Sequence, residues 1–252
     1  MVREGIEPTI NLDDLYALEL GLSLKEKYSG VVSVMTMGPP QAMLALRECL
    51  AMGVDHAILI SDKRFAYSDT LQTTLVLKEA FDKIKEYDII ITGSQSSDAS
   101  TGQVPYQLSE ALDIPLITDI FTMEIKDGEF FCQRNFGHES QQISCFLPVL
   151  IRVKRYFNKP RYVSLLGITN AFEHKIDIID FNSFNCPEYL DGCNKSPTRV
   201  IKTEKIELKR KNQIIEGSTK EKTQKLITIL EEHGIEKIWI GKKVDNGGNE
   251  KK

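Results

Sequence analysis

Early in the chain, short apolar runs alternate with longer stretches in which apolar positions recur every three or four residues. The stretch "NLDDLYALELGLSLKEKYSG" sets Leu15, Leu18 and Leu22 at helical spacing, with Asn11 placed to cap the helix and Gly30 to stop it. "VVSVMTMG" reads as a buried strand, "PPQAMLALRECLAMG" as a helix opened by proline and closed by Gly53, and "HAILISD" as the next strand. "SDTLQTTLVLKEAFDKI" predicts a third helix, capped by Ser68 or Asp69, and "DIIITG" a third strand. Strands alternating with helices of this length imply right-handed crossovers and a parallel sheet. After "QVPYQLSEALDI" the pattern changes. "PLITDIFTMEIKDGEFFCQRNF" predicts a hairpin turning at Asp127-Gly128, and "QQISCFLPVLIRVKR" another strand, so the later sheet is expected to be mixed or antiparallel. From about Asn185 the chain becomes a polar, proline-spaced connector that ends in one amphipathic helix, "STKEKTQKLITILEEHG", and a charged tail. The expected division is an α/β domain over residues 1–184 and a C-terminal arm over 185–252. The arm's helix presents Leu226, Ile229 and Leu230 on one face and is expected to pack on a partner.

At 252 residues, 41% of them hydrophobic, the chain can bury a sizeable core and reads as a globular, soluble protein. A net charge of -4 opposes a nucleic-acid surface, and "KTEKIELKRKNQ" reads as a solvated charged strand or arm. The start, "MVREGIEPTINLDD", carries no apolar signal core, and no apolar run approaches the ~20 residues that span a bilayer, so a cytoplasmic location is expected. The five cysteines (Cys49, Cys132, Cys145, Cys186, Cys193) include no CxxC pair and are expected as reduced thiols.

The stretch that a strand or plain turn does not explain is "YDIIITGSQSSDASTGQV", where an apolar run opens into a long series of Gly, Ser, Thr, Asp and Gln. In an open parallel sheet, ligands bind beyond the carboxyl ends of the strands. Three loops meet that description: "MGPP" (Met37 to Pro40), "SDKRFAYSDTLQTT" (Ser61 to Thr74) and "GSQSSDASTGQ" (Gly93 to Gln103). The last two offer hydroxyls, small residues and unpaired amides at helix starts, which suits a phosphate. The competing reading is that Asp69, Asp98 or Ser100 merely caps a helix. There is no GxxxxGK[ST] and no GxGxxG. His56, His138, His174 and His233 are isolated, with no HExxH, no GxSxG and no cysteine beside a base motif. A nucleotide-type pocket without acid, base or nucleophile suits a binder, or a holder of a cofactor that does the chemistry itself.

The run from Arg3 to Asp62, followed by "SDTLQTT", "GSQSSDASTGQV" and "NKPRYVSLLGI", resembles the beta (small) subunit of electron-transfer flavoproteins over Arg3 to about Asp180. The resemblance implies a Rossmann-like α/β fold of the adenine nucleotide alpha-hydrolase-like kind, with a largely parallel sheet and helices on both faces. It also implies a partner alpha subunit that carries the redox-active FAD. It places an adenine nucleotide among Asn11, Leu12, Asp13 and Asp14, Met37 and Gly38, the "SDTLQTT" residues Asp69, Thr70 and Thr73, and the loop Gly93 to Gln103. That loop contributes Gln95, Ser96, Ser97, Asp98, Ser100, Thr101 and Gly102. The nucleotide is AMP in the simple carriers and a second FAD in the electron-bifurcating branch. The short loop "SDASTGQV" and the element "SDTLQTT" are similar to the bifurcating or anaerobic branch, so FAD is expected, with AMP as the alternative.

By the same resemblance, "NKPRYVSLLGI" is the recognition loop whose leucine enters a pocket on a client dehydrogenase, such as an acyl-CoA dehydrogenase. Leu165 is the matching residue, with Arg161 and Tyr162 beside it. Read from the residues alone, Leu165 and Leu166 tuck into the protein's own core. Ser94 stands where the family usually has Lys or Arg, Asn135 where an acid is common, and Leu166 where proline is common. Family members begin earlier with an apolar strand central to the sheet, so the chain is expected to be a shortened version of a longer protein, with two strands left unpartnered. The expected function is an electron-carrier subunit, bifurcating if the second flavin is present. The alternative is a stand-alone adenine-nucleotide sensor.

Overall fold

The structure, a computed structural model, describes residues 8–84, 86–137, 139–185, 187–202 and 212–233. The chain divides into two compact units, Met1–Ile201 and Lys202–Lys252.

In the first unit, helix α1 (Leu12–Tyr28) places Asp13 and Asp14 in its first turn and Lys25 and Lys27 in its last, matching its dipole. Its left-handed cap falls at Ser29, one residue before the expected glycine. Strand β1 (Ser33–Met37) leads through a 3₁₀ turn at Pro40–Ala42 into α2 (Met43–Met52), which Gly53 closes at φ 115°. Then follow β2 (His56–Ile60), α3 (Thr70–Ile84), β3 (Ile89–Thr92) and α4 (Val104–Leu112). Three strands next form β4 (Leu116–Thr118), β5 (Ile120–Lys126) and β6 (Glu129–Phe136), with Asp127 and Gly128 both at positive φ in the β5–β6 turn. Two more strands, β7 (Glu139–Phe146) and β8 (Val149–Arg152), precede α5 (Leu165–Glu173), β9 (Ile176–Ile179) and the short α6 (Gly192–Lys195). In the second unit the described element is α7 (Thr219–Glu232).

The strands form two parallel sheets, ordered β1-β2-β9 and β3-β8-β4, and one antiparallel sheet, β5-β6-β7. The later region is therefore not one mixed sheet, and two residues explain the difference. Asp119, in the left-handed conformation at φ 62°, turns the chain out of β4, so only β5 enters the hairpin. Pro148, which has no amide for a ladder, splits "QQISCFLPVLIRVKR" into antiparallel β7 and parallel β8. Val149, Leu150 and Ile151 of β8 are all fully buried, as a central strand covered on both faces requires.

Side-chain alternation along the parallel strands separates two apolar layers. Val34 of β1 and Ile89 and Ile91 of β3 meet clusters built on α1, whereas Met35 and Met37 of β1 and Ile90 of β3 meet clusters that include α3. Both parallel sheets thus lie between the same two helices. Among the described residues β1 pairs only with β2, and β3 only with β8, so each has one unpaired edge. Gly21 of α1 sits against that seam. A Cβ there would stand 3.7 Å from Val32 and 3.8 Å from Ile91.

Candidate functional site

Helix α1 fixes the end of the sheets at which a site can form. Its last turn stands beside the start of β1 and β2: Lys25 Nζ meets Asp55 Oδ1 at 2.6 Å, and Asp55 Oδ2 accepts the Val32 amide at 2.9 Å. Its first turn meets the loop that follows β3. Asp14 Oδ1 accepts the Gly93 amide at 2.9 Å, Asn11 Nδ2 donates to the Gln95 carbonyl at 2.7 Å, and Ser97 Oγ donates to Asn11 Oδ1 at 2.7 Å. Asp13, 1% exposed, accepts from Ser94 Oγ and from Arg155 Nε. Gly93 must be glycine here, since a Cβ would lie 2.6 Å from Asp14 Oδ1 and 2.7 Å from the Asp13 carbonyl carbon.

The far end of the same loop is joined to the start of α3. Thr70 Oγ1 donates to Gln103 Oε1 at 3.1 Å, and Gln107 Nε2 donates to Thr70 Oγ1 at 3.3 Å. The capping reading holds for Asp69, whose Oδ1 accepts the Gln72 amide at 3.0 Å while Oδ2 accepts from both the amide and the hydroxyl of Thr198. The amide of Thr73 donates to the Asp69 carbonyl at 2.9 Å, within the same turn. It does not hold for Asp98 or Ser100. Asp98 accepts only from the Ala99 amide, and Ser100 Oγ donates back to the Ser96 carbonyl. Helix α4 starts at Val104, and its N-cap residue Gln103 makes no side-chain cap. Gln95 to Thr101 are exposed, and Ser100 and Gly102 take positive φ of 52° and 62°.

The structure therefore gathers Asn11, Asp13, Asp14, Thr70 and the loop Gly93–Gln103 at one end of the fold. Leu12 is exposed beside them. Met37 and Gly38 close β1 at that same end, where Gly38 donates its amide to the Ile60 carbonyl at 3.0 Å, and no hydrogen bond among the described residues joins them to the loop.

Charge at the site is set by contact. Burial would raise the Asp13 carboxyl, but the Ser94 hydroxyl and the Arg155 guanidinium hold it below the ordinary range. Asp14 goes the other way. As a residue it is exposed, yet its carboxyl is turned onto Gly93 and Asn11, and loss of solvent there, reinforced by the Asp13 charge, raises it despite those hydrogen bonds. Beyond the loop, Arg152 donates from Nε to the Ser94 carbonyl at 3.2 Å, and its guanidinium lies 5.9 Å from the Tyr106 ring centre. Lys154 meets Asp119 at 3.0 Å. The sequence offered no sign of Arg152 or Arg155, because their contacts join positions 58 and 142 residues apart.

A second region is apolar and faces outward. Leu165 and Leu166 do not enter the core: Leu165 is 85% exposed, and Leu166, Tyr162 and Phe172 are exposed with it. Residues 158–164 are loop, and Leu165 to Ile168 form the first turn of α5. Ser164 Oγ accepts the Gly167 amide at 2.9 Å, and Gly167 lies so close to α2 that a Cβ would stand 2.1 Å from the Ala51 carbonyl oxygen. That close approach turns the two leucines away from the body. Arg161 is engaged within the fold, donating from Nε and its amide to Glu19 Oε2 and from Nη1 to Glu26 at 2.6 Å. Burial would raise the Glu19 carboxyl, but Arg161 holds it below the ordinary range. In the second unit Leu226 and Leu230 of α7 are exposed, and Ile229 lines a hollow with Ile214 and Ile215.

Hydroxyls, backbone amides and the guanidinium of Arg152 are groups that could hold a polar ligand. Among the described residues no group of His, Cys, Asp and Glu could hold a metal ion, and no helix is long and apolar enough to cross a membrane. Cys49, Cys132 and Cys145 are free thiols, and burial pushes that of Cys49 up to about 12.

Comparison with known proteins adds a consistent set of relatives. The sequence model of the electron transfer flavoprotein domain matches residues 1–182. The chain is 38% identical over 231 residues to the electron transfer flavoprotein subunit beta of Thermoanaerobacterium thermosaccharolyticum, covering 91% of this chain and 88% of that one. Over 237 residues it is 37% identical to the caffeyl-CoA reductase-Etf complex subunit CarD of Acetobacterium woodii, with 93% and 90% covered. Protein FixA of Azotobacter vinelandii is 39% identical over 209 residues, with 80% and 74% covered.

Proposed function

The chain belongs to the electron transfer flavoprotein family, and on that premise we propose that it is the beta subunit of a heterodimeric electron carrier that holds an adenine nucleotide between the start of α1 and the loop Gly93–Gln103. The observation that carries the site is the double anchoring of that loop, to Asn11 and Asp14 at one end and to Thr70 at the other. The residues fit a polar ligand. Two buried oxygens, Thr92 Oγ1 at the mouth of the loop and Gln72 Oε1 in the first turn of α3, have no hydrogen-bond partner in the described residues. In this reading the fold is Rossmann-like. Met37 and Gly38 flank the adenine end, and Ser96, Ser97, Thr101 and Gly102 offer hydroxyls and amides to phosphate at the start of α4. FAD is the nucleotide favoured by the form of the loop, with AMP the alternative, and a bound flavin would supply the redox chemistry. The protein itself binds, orients and excludes water. The alpha subunit is the partner of α7, and a client dehydrogenase meets the leucines of α5.

Purification together with the partner subunit, followed by chromatography of the denatured complex, tests this reading. One adenine nucleotide beyond the alpha subunit's own FAD is expected, and its identity decides between FAD and AMP. A complex that carries no nucleotide attributable to this chain overturns it.

Leu165→Ala is expected to weaken docking of the dehydrogenase by about thirtyfold, equivalent to about 2 kcal/mol for an exposed leucine that enters a dry pocket. Flavin content and assembly with the partner subunit should stay unchanged, because Leu165 contributes nothing to the core. Surface-binding kinetics with the purified complex give the measurement, and docking at wild-type affinity would show that Leu165 is no anchor.

A further inference from the structure

The chain segment leaving β8 carries three arginines whose surroundings differ. Arg155 faces the buried Asp13, and Arg161 faces Glu19 and Glu26. Both are thereby held by carboxylates inside the fold. Arg152 is not. Its Nε donates to a neutral acceptor, the Ser94 carbonyl, and its only acidic neighbour among the described residues, Asp119, is 3.7 Å from Nη1 and closer to Lys154 at 3.0 Å.

The position of that guanidinium is specific. Arg152 is the last residue of β8 and pairs with Thr92 of β3 and Thr118 of β4, so it stands at the carboxyl end of the sheet's central strand. The carbonyl it touches belongs to the second residue of the loop. The same oxygen is the near neighbour of Gly102, where a Cβ would stand 3.1 Å away. One carbonyl thus connects Arg152 to the residue two positions before α4, and the contact with Tyr106 holds the guanidinium beside that helix's first turn. The side chain is only 19% exposed, so its remaining donors meet little competing water. Position 94, by contrast, is a serine whose hydroxyl is turned away to Asp13.

We propose that Arg152 is the residue that recognises the ligand's phosphate at the mouth of the Gly93–Gln103 loop, and that it makes the site selective for phosphorylated adenine compounds over the bare nucleoside. This rests on the adenine-nucleotide reading above. The guanidinium, anchored at Nε, presents its Nη donors to the phosphate oxygens, and it supplies a full charge where the α4 amides supply only partial ones.

The test compares binding of AMP and of adenosine, by calorimetry, to the full chain freed of bound nucleotide. The proteins are the wild type, Arg152→Met and Arg152→Lys. Wild-type protein should prefer AMP. Arg152→Met should lose roughly 10- to 100-fold of its AMP affinity, the scale of a hydrogen bond to a charged group, with adenosine binding unchanged. Arg152→Lys should recover part of the loss. Retention of full AMP affinity by Arg152→Met, in a wild type that binds AMP, overturns the assignment of Arg152 alone. Parallel loss of AMP and adenosine also overturns it, and means that Arg152 only shapes the loop through Ser94. A wild type that binds neither compound removes the nucleotide site itself and this proposal with it.

Discussion

Cutting the chain before Gly217 is expected to lower affinity for the partner subunit by roughly a hundredfold or more. Helix α7 starts with a reciprocal cap in which Ser218 donates its amide to Glu221 Oε2 at 2.8 Å and Ser218 Oγ accepts the Glu221 amide, so its first turn is satisfied without outside help. What it lacks is cover for Leu226 and Leu230, which are exposed, while Ile229 is half-buried beside Ile214 and Ile215. The three fall at i, i+3 and i+4, and fully burying a side chain of this size contributes about 1.5–3 kcal/mol before the cost of ordering the arm, less for one already half-buried. Titration of the truncated chain against the partner subunit reads the loss. Assembly at undiminished strength would mean that α7 is not a clasp. The paired change Leu226→Ser with Leu230→Ser should reproduce most of the effect while leaving the helix in place.

Gly102→Glu should empty the nucleotide site. Gly102 is held at φ 62°, where any side chain is strained at a cost of about 1–2 kcal/mol, and its Cβ would press on the Ser94 carbonyl. The added carboxylate would also stand at the positive end of α4, where the proposed phosphate site lies. Together these should reduce nucleotide retained through purification to a small remainder, measured by chromatography of the denatured protein. Gly102→Asn separates the causes, because asparagine tolerates the left-handed region and adds no charge, so it should keep much of the nucleotide. Wild-type nucleotide content in the glutamate variant counts against the loop as the phosphate site.

Much of this was legible in order along the chain. Helical spacing at Leu15, Leu18 and Leu22, the proline start and glycine stop of α2, and the apolar runs of β1, β2 and β3 are local signals, and each element formed within a few residues of its expected bounds. The candidate loop was legible from composition alone. Other features depended on long-range contact. Nothing in "PLITDIF" says that Asp119 will turn left-handed and send two neighbouring strands to different sheets. The outward turn of Leu165 was legible only through resemblance, since an apolar run looks the same whether it packs inward or out. Its cause is the approach of Gly167 to Ala51 across more than a hundred residues. Asp14 was expected as a ligand contact, and what the structure shows is its carboxylate bracing the loop backbone at Gly93.

The seam between β1 and β3 bears on how the site keeps its width. No ladder hydrogen bond among the described residues joins the two parallel sheets, and the elements that span them are α1 on one face, with Leu18 and Leu22 in one cluster and Tyr16 and Leu20 in another, and α3 on the other. Met37 and Gly38 belong to one sheet's edge, and the loop Gly93–Gln103 to the other's. The two walls of the proposed nucleotide site therefore act as the jaws of a caliper whose screw is α1. An alanine at Gly21 would make ordinary contact with Val32 and Ile91, whereas a larger side chain there would press on both sides of the seam without touching either jaw.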